Sequence, residues 1–337
     1  MSDVARLAGV SKMTVSRMHA GHSVALATRE RVQKAIDELG YVADAAAGAL
    51  SSGRSEFVAV LVPSLASSNF SDTVRDTVRG LAASLEPHGL QLLIGDTDYH
   101  LDREERLVRS MLRHQPRCIA LTGARHTDAT RNLLRRSGVP VVEMWDAPTD
   151  PIDSAVGFSN VSAARAMVRY LADQGYERIG FLGGASELDR RGLDRLKGFR
   201  SQMKSLGLDD ARVIRLGDSP VTMSHGGPAM AALLDAWPDT QAVMCVVSGM
   251  SAFGAIMESH RRGMTVPVDI AVAGFGNFEV SEYCTPTITT DSVDAYGIGL
   301  RTGATLLAAL QEREAGAAIS AGKRVRVAYK VVARESA

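Results

Sequence analysis

Cysteine is scarce. Three residues, Cys118, Cys245 and Cys284, stand in or beside apolar runs. They are too few and too scattered for a disulfide framework or a zinc cluster, and they read as small core hydrophobes. A surplus of either charge is also missing, since Lys plus Arg is 38 and Asp plus Glu is 38. Whole-chain charge therefore offers an anionic partner nothing, and any nucleic-acid signal must be local. No apolar run approaches the roughly 18 residues that a membrane helix needs. The opening Met-Ser-Asp-Val-Ala-Arg lacks the apolar core of a signal peptide. These absences predict a soluble, cytoplasmic chain with no membrane partner. Catalytic signatures are absent too. Gly274-Phe275-Gly276 lacks a complete dinucleotide-binding spacing, no Gly-rich Lys-Ser/Thr phosphate loop occurs, and the eight histidines form no His-Glu-x-x-His pair. Ser64 and Ser248 have no visible base partner. The expectation is no enzyme, no metal and no cofactor.

What remains is an ordinary globular balance of 45% hydrophobic and 23% charged residues, spread over 337 positions that call for two or three folding units. The pattern changes near residue 55. Before it, short helices are predicted over 3–8, 12–19 and 28–39, with no convincing strand. Ser2 and Ser11 are placed to cap the first two, and Gly9 and Gly40 to stop the first and third. Val4, Leu7 and Ala8, then Val32, Ile36 and Leu39, are the expected inward faces. Two helices across a tight Gly-containing turn, braced by a third, make a helix-turn-helix plan. Between residues 5 and 34, Arg6, Lys12, Arg17, Arg29, Arg31 and Lys34 face Glu30 alone. That local excess would attract phosphates. Lys12, Met13 and Arg17 on the second helix are candidates for base edges in a major groove, and Thr14 and Ser16 for phosphates.

After residue 55, apolar runs alternate with helical stretches. Strands are predicted over 57–62, 90–94, 118–121, 139–144, 155–158, 179–182, 213–216, 242–247, 270–273 and 325–332, and helices over stretches such as 73–85, 103–112, 163–172, 229–234 and 251–262. Continuous apolar strands alternating with helices argue for parallel sheets covered on both faces, and ten strands for two lobes. Ligands bind beyond the carboxyl ends of such strands. Ser64, Asn69 and Phe70 follow the first strand, and Thr122 and Arg125 the third. Glu143, Trp145 and Asp146 close the fourth, and Ser159 and Asn160 follow the fifth. The acids suit sugar hydroxyls and Trp145 a sugar face.

The run Asp3-Val4-Ala5-Arg6-Leu7-Ala8-Gly9-Val10-Ser11, then Thr14-Val15-Ser16-Arg17, Thr28-Arg29-Glu30-Arg31-Val32 and Glu38-Leu39-Gly40-Tyr41, resembles the headpiece of the lactose/galactose repressor family. Lys12-Met13 and Ser23-Val24-Ala25-Leu26 look most like its gluconate-operon repressor branch. The rest of the chain resembles the family's periplasmic-binding-protein-like core. The resemblance implies an all-α helix-turn-helix headpiece over 1–42, a hinge helix and linker over 43–55, and over 56–337 an α/β core of two parallel-sheet sublobes. Leu50 takes the place of the family's minor-groove wedge. Arg195, ahead of Gly198-Phe199, matches the family's effector-binding arginine, and Arg191 a second effector contact in some members.

Departures from the family pattern carry information. Ala43-Asp44 stands where Pro-Asn is usual and Ala20 where Asn is common, and the loop after the second helix is about one residue short. The chain also opens almost at its first helix, as if a few N-terminal residues were missing. Ser248-Gly249 replaces the family's Asn-Asp, and Gly276-Asn277 follows Phe275 where an acid is usual. Losing acids while keeping Arg191 and Arg195 favours a negatively charged effector, a sugar acid such as gluconate or a keto-gluconate. Asn277 is a further effector candidate, and a neutral sugar or a corepressor is the alternative. The expected protein is a homodimeric repressor on a pseudo-palindromic operator. A solute-binding protein without regulation would lack the basic headpiece.

Overall fold

The computed structural model describes residues 1–19, 23–41, 55–65, 73–184, 189–216, 221–246, 249–316 and 322–337. Two compact units emerge, Met1–Glu56 and Phe57–Ala337.

Three helices make the first unit: α1 (Ser2–Ala8), α2 (Lys12–His19) and α3 (Leu26–Leu39). Gly9 ends α1 and Gly40 ends α3, both left-handed, at φ 64° and 55°, a conformation that costs glycine little. Ser11 caps α2, its Oγ accepting from Thr14 N at 3.1 Å. Ser2 does not cap α1, which starts one residue early after Met1, and α3 begins at Leu26 rather than 28. Val4, Ala5, Ala8, Val15, Val32 and Ala35 form the small core. Leu7 and Leu39, expected inside, are 48% and 45% exposed, and the smaller Ala5 and Ala35 stand in the core in their place.

In the second unit, apolar strands feed two layers at once. Along β1 (Phe57–Val62), Val58, Val60 and Val62 enter one core while Ala59 and Leu61 enter another. This alternation puts apolar groups on both faces of a covered parallel strand. The first six-stranded sheet adds β2 (Gln91–Asp96), β3 (Cys118–Thr122), β4 (Val141–Trp145), β5 (Ser154–Gly157) and β11 (Lys323–Arg326), in the order β11-β5-β4-β3-β1-β2. The second contains β6 (Ile179–Gly183), β7 (Val213–Arg215), β8 (Ala242–Cys245), β9 (Ala271–Phe275), β10 (Thr289–Val293) and β12 (Tyr329–Val332), in the order β12-β10-β9-β8-β6-β7. All pairings are parallel except β10 with β12.

Helices α4 (Thr73–Leu85), α5 (Leu101–Arg113) and α6 (Asp128–Ser137) connect strands of the first lobe. In the second lobe lie α7 (Asn160–Asp173), α8 (Arg190–Ser205), α9 (Gly226–Ala236), α10 (Gly249–Arg261) and α11 (Glu279–Tyr283). The long α12 (Ala295–Glu314) returns from β10 to pack on α4. Gly80 and Gly299 make that packing close, since a Cβ on either would strike backbone of the other helix.

Two features escaped the apolar pattern. Strand β10 is Thr-Thr-Asp-Ser-Val, yet Thr289, Thr290 and Asp291 are all fully buried. The single strand expected over 325–332 is two, β11 and β12, in different sheets. Val327 lies between them, its N–H donating to Gly157 O at 2.8 Å. The chain therefore passes between the lobes three times: β5 to α7, β10 to α12, and β11 to β12. Phe158, on the first crossing, meets Trp145, Phe275 and Tyr329 at centroid distances of 6.1, 6.3 and 6.2 Å. Among the described residues no helix is long and apolar enough to cross a membrane.

Candidate functional site

Helix α2 is amphipathic in a way that sorts its side chains by role. Val15 is fully buried and Met18 packs beside it, whereas Lys12, Met13, Ser16 and Arg17 lie on the exposed side, Met13 at 73%. The spacing i, i+1, i+4, i+5 gathers these four on one face. Thr14 stands at the margin, its Oγ1 2.9 Å from Ser11 Oγ. Arg6 pairs with Asp3 at 2.8 Å, both exposed, and Arg29, Arg31 and Lys34 of α3 are exposed as well. Leu50 and residues 43–54 of the expected hinge and linker over 43–55 lie outside the described residues.

The larger unit has a cleft where the carboxyl ends of both sheets converge. It holds about 600 Å3 of space open to solvent, lined by Pro63, Thr73, Tyr99, Thr122, Trp145, Asp189, Arg191, Arg195, Phe275 and Phe278. A neighbouring recess of about 530 Å3 shares Pro63, Tyr99, Thr122, Asp189 and Arg191, and adds Arg125, Asp146 and Glu104. Three non-glycine residues here have left-handed backbone: Asp98 at φ 49°, Tyr99 at 60° and Trp145 at 73°. Such conformations cost on the order of 1–3 kcal/mol each and gather where a side chain must be aimed. Gly157 makes room for the Trp145 turn, since a Cβ there would collide with the Trp145 and Asp146 backbone. Trp145 Nε1 then donates to Thr77 Oγ1 at 3.2 Å, leaving the indole in the cleft wall.

Arg195 is the most constrained side chain of the cleft. It is only 7% exposed; Nε donates to Asn160 Oδ1 at 2.9 Å and Nη1 to Val246 O at 2.6 Å. Its guanidinium carbon sits 3.7 Å from the Phe275 ring centroid, a cation–π contact. Burial lowers its pKa to about 10, against the pull of Asp189 and Asp146; it is still a cation at neutral pH. Nη2 forms no hydrogen bond with a described residue. Arg191, half-buried one helical turn earlier, has neither hydrogen bond nor ion pair among the described residues. Arg190 instead pairs with Asp194 at 3.5 Å and points its charge along the helix.

The three acids that line the cleft and its recess are engaged, and Glu104 Oε1 lies 2.7 Å from His126 Nδ1. Asp189 caps α8, its Oδ1 accepting from Gly192 N at 3.0 Å. Asp146 accepts from Ala124 N at 3.0 Å and from Asn160 Nδ2 at 3.1 Å. Burial raises the Asp146 pKa and the Arg191 charge partly offsets the rise. Asn160 thus bridges Asp146 to Arg195, joining the two lobes' contributions.

Thr122, Trp145, Arg191 and Arg195 therefore meet in one cleft, with Arg125 exposed at its rim. The other candidates do not join them. Glu143 corrects the expectation of a sugar contact: it is fully buried, its Oε2 accepts from Ile152 N at 2.7 Å, and Oε1 lies 3.3 Å from His126 Nε2. It follows from strand alternation, because Glu143 and Trp145 share a face but Trp145 breaks from strand geometry into the cleft. Ser64 is 1% exposed, beneath Pro63, which reaches the cleft instead. Asn277 lies in an adjoining recess, its Nδ2 donating to Glu282 and its Oδ1 accepting from Arg334. Asn69, Phe70 and Ser248 lie outside the described residues. Tyr99 and Phe278 were missed. Both follow strand ends, and the apolar run of β2 ends at 94, two residues short of the strand, which leaves no sequence signal at Tyr99.

Comparison with known proteins agrees with both units. Residues 1–44 match the model of bacterial regulatory proteins, lacI family, and residues 168–337 that of a periplasmic binding protein-like domain. The chain is 37% identical to the HTH-type transcriptional regulator GntR of Pseudomonas aeruginosa, across 100% of this chain and 95% of the relative. A LacI-family transcriptional regulator from Silicibacter pomeroyi superimposes with a TM-score of 0.88 at 32% identity, covering 99% and 98% of the two chains. The regulator CelR in complex with cellobiose superimposes with a TM-score of 0.72 at 27% identity, covering 99% and 98%.

Proposed function

This chain belongs to the LacI family of DNA-binding transcriptional regulators, and from that premise we propose that it is a homodimeric repressor released from its operator by a sugar acid. The headpiece residues Lys12, Met13 and Arg17 read base edges, Thr14 and Ser16 hold phosphates, and Leu50 of the hinge wedges the minor groove. Two such headpieces on a two-fold dimer call for a pseudo-palindromic operator. Supporting the headpiece assignment is the exposed Lys12–Arg17 face over a buried Val15.

The observation that carries the effector assignment is Arg191. It is a half-buried guanidinium, without partner among the described residues, beside a fixed Arg195 in a cleft whose acids are already engaged. Two guanidinium groups with free donors suit a carboxylate, which they grip through paired N–H···O bonds. Trp145, Phe275 and Phe278 offer apolar faces to the carbon chain, and Thr122 and Tyr99 polar groups to hydroxyls. The likeness of Lys12-Met13 and Ser23–Leu26 to gluconate-operon repressors points the same way. Closure around the ligand would repack the crossing at Phe158 and shift the first lobe. Release then requires the closed form to bind ligand better and DNA worse than the open form.

A thermal-melt screen with gluconate, keto-gluconates and neutral sugars tests the class. A ligand at about 100 times its Kd adds roughly 2.7 kcal/mol to the stability of the core. A rise confined to sugar acids, with loss of operator binding in the same buffer, is the expected result. The CelR neighbour holds cellobiose, a neutral sugar; a rise with neutral sugars alone would remove the carboxylate role of Arg191. Tighter operator binding with ligand would make the effector a corepressor.

A further inference from the structure

Asp291 lies behind the cleft, in the middle of β10. Its register partners, Phe275 of β9 and Val331 of β12, place it on the sheet face that carries Phe275. It is fully buried, and neither carboxylate oxygen has a hydrogen-bond partner among the described residues. Buried carboxylates are ordinarily bonded or paired, because an isolated charge in a low-dielectric interior is very costly. A polar β10 segment that the apolar pattern missed thus contains an acid without a structural task.

The charge that faces it belongs to the effector site. Arg195 sits on the Phe275 ring at 3.7 Å, and Arg195 is the charged group whose field reaches Asp291. The flanking strands present the uncharged Phe275 and Val331. Beyond Arg195, the groups that act on the guanidinium are Asp189 and Arg191 of the α8 start, Asp146 at the end of β4, and Tyr99 after β2. Arg195 and Asp291 do not form an ion pair, so the acid is near enough to feel the cation and too far to be satisfied by it. Burial raises the Asp291 carboxyl well above the usual aspartate range, and Arg195 offsets only part of that rise.

We propose that Asp291 is the internal counter-charge of Arg195 and sets the charge preference of the effector cleft. The cleft accepts an anion with Asp291 protonated and loses affinity for it when Asp291 is ionised. Anion binding to the ionised form draws one proton from solvent onto the Asp291 carboxylate, and the ligand gives up none. Asp291 touches no ligand; it positions charge through Arg195. The proposal rests on the reading of Arg191 and Arg195 as the carboxylate-binding pair.

The test compares the full-length protein with Asp291→Asn, which keeps the shape and stays neutral, from pH 5 to pH 9. With gluconate as probe, wild-type affinity falls by up to about tenfold per pH unit once Asp291 ionises, the limit for one linked proton, and calorimetry in buffers of different ionisation heat registers proton uptake. The Asn variant binds gluconate at least as tightly, with neither the fall nor the uptake. Identical pH profiles in the two proteins would overturn the proposal. A ligand-free arm uses melts alone. A raised carboxyl contributes stability that is complete below its unfolded pKa and is lost as pH rises through its folded pKa. The wild-type Tm therefore declines relative to the Asn variant as pH rises, and titrations common to both, such as that of His126, cancel in the difference. A flat difference means Asp291 is ionised throughout and overturns the protonation-controlled charge preference. If gluconate fails to bind, the sugar-acid reading falls and takes the ligand half of this proposal with it. A declining melt difference then still supports a protonated Asp291 behind Arg195.

Discussion

Arg195 shows how much one side chain can be asked to do. Removing it entirely would leave Asn160 Oδ1 and Val246 O without donors and Phe275 without its cation, so Arg195→Ala mixes lost stability with lost binding. Arg195→Lys is the sharper variant. It keeps the charge but cannot fork or stack as a plane. We expect it to fold, to bind operator as wild type does, and to weaken gluconate by about 1–3 kcal/mol, measured by calorimetry beside operator titrations; undiminished gluconate affinity would take Arg195 out of the site.

A second residue worth isolating is His126, whose side chain is fully enclosed. Its Nδ1 is 2.7 Å from Glu104 Oε1, and its Nε2 approaches Glu143 Oε1 at 3.3 Å, too poorly aligned for a hydrogen bond. Burial alone would lower its pKa, but the two carboxylates outweigh burial and hold it at about 9. A raised imidazole stabilises the fold fully below its ordinary pKa of about 6.5, and the contribution is lost as pH rises through about 9. His126→Gln should therefore cost on the order of 3 kcal/mol at pH 6 and much less at pH 10, read from denaturant melts. An equal cost at both pH values would mean the imidazole is neutral throughout.

At the scale of elements, α2 is the clearest separation of stability from recognition. Val15 and Met18 hold it to α1 and α3, while Lys12, Met13, Ser16 and Arg17 lie on the exposed side. Arg17→Ala should leave the melting curve unchanged within about 0.5 kcal/mol and weaken specific operator binding by about 1–3 kcal/mol. Footprint or anisotropy titrations at fixed salt decide it, since affinity depends steeply on ionic strength. Unaltered operator affinity would assign the groove to another face. Elsewhere the elements are held by close backbone approach. The α4–α12 contact at Gly80 and Gly299 keeps α12 in the first lobe although it follows a strand of the second.

For the whole molecule, the division into Met1–Glu56 and Phe57–Ala337 predicts two unfolding transitions. The headpiece core is six small buried residues, whereas the larger unit has four extended clusters. Differential scanning calorimetry of the DNA-free protein should resolve a small transition at lower temperature and a large one above it. Effector should move only the second. A single cooperative transition displaced as a whole by ligand would show the two units to be energetically coupled without DNA.

Local pattern alone determined a good deal. The three helices of the headpiece, the glycine stops of α1 and α3, the Ser11 cap, the basic exposed face of α2, and nine of the strands follow from periodicity and cap chemistry that neighbouring residues carry within themselves. Arg195, ahead of Gly198-Phe199, and Arg191 stand out in the sequence only through resemblance to effector positions of the family. Tertiary structure decided the rest. It cut the run over 325–332 into strands of two sheets, because the chain must cross between lobes at Val327. It turned Trp145 into the cleft and sent Glu143 to His126, a choice made by backbone dihedrals near Gly157 rather than by residue type. And it buried the Thr-Thr-Asp segment of β10, which alternation assigns to no core, because β10 runs inside a sheet whose faces are covered by packed helices, whatever its own polarity.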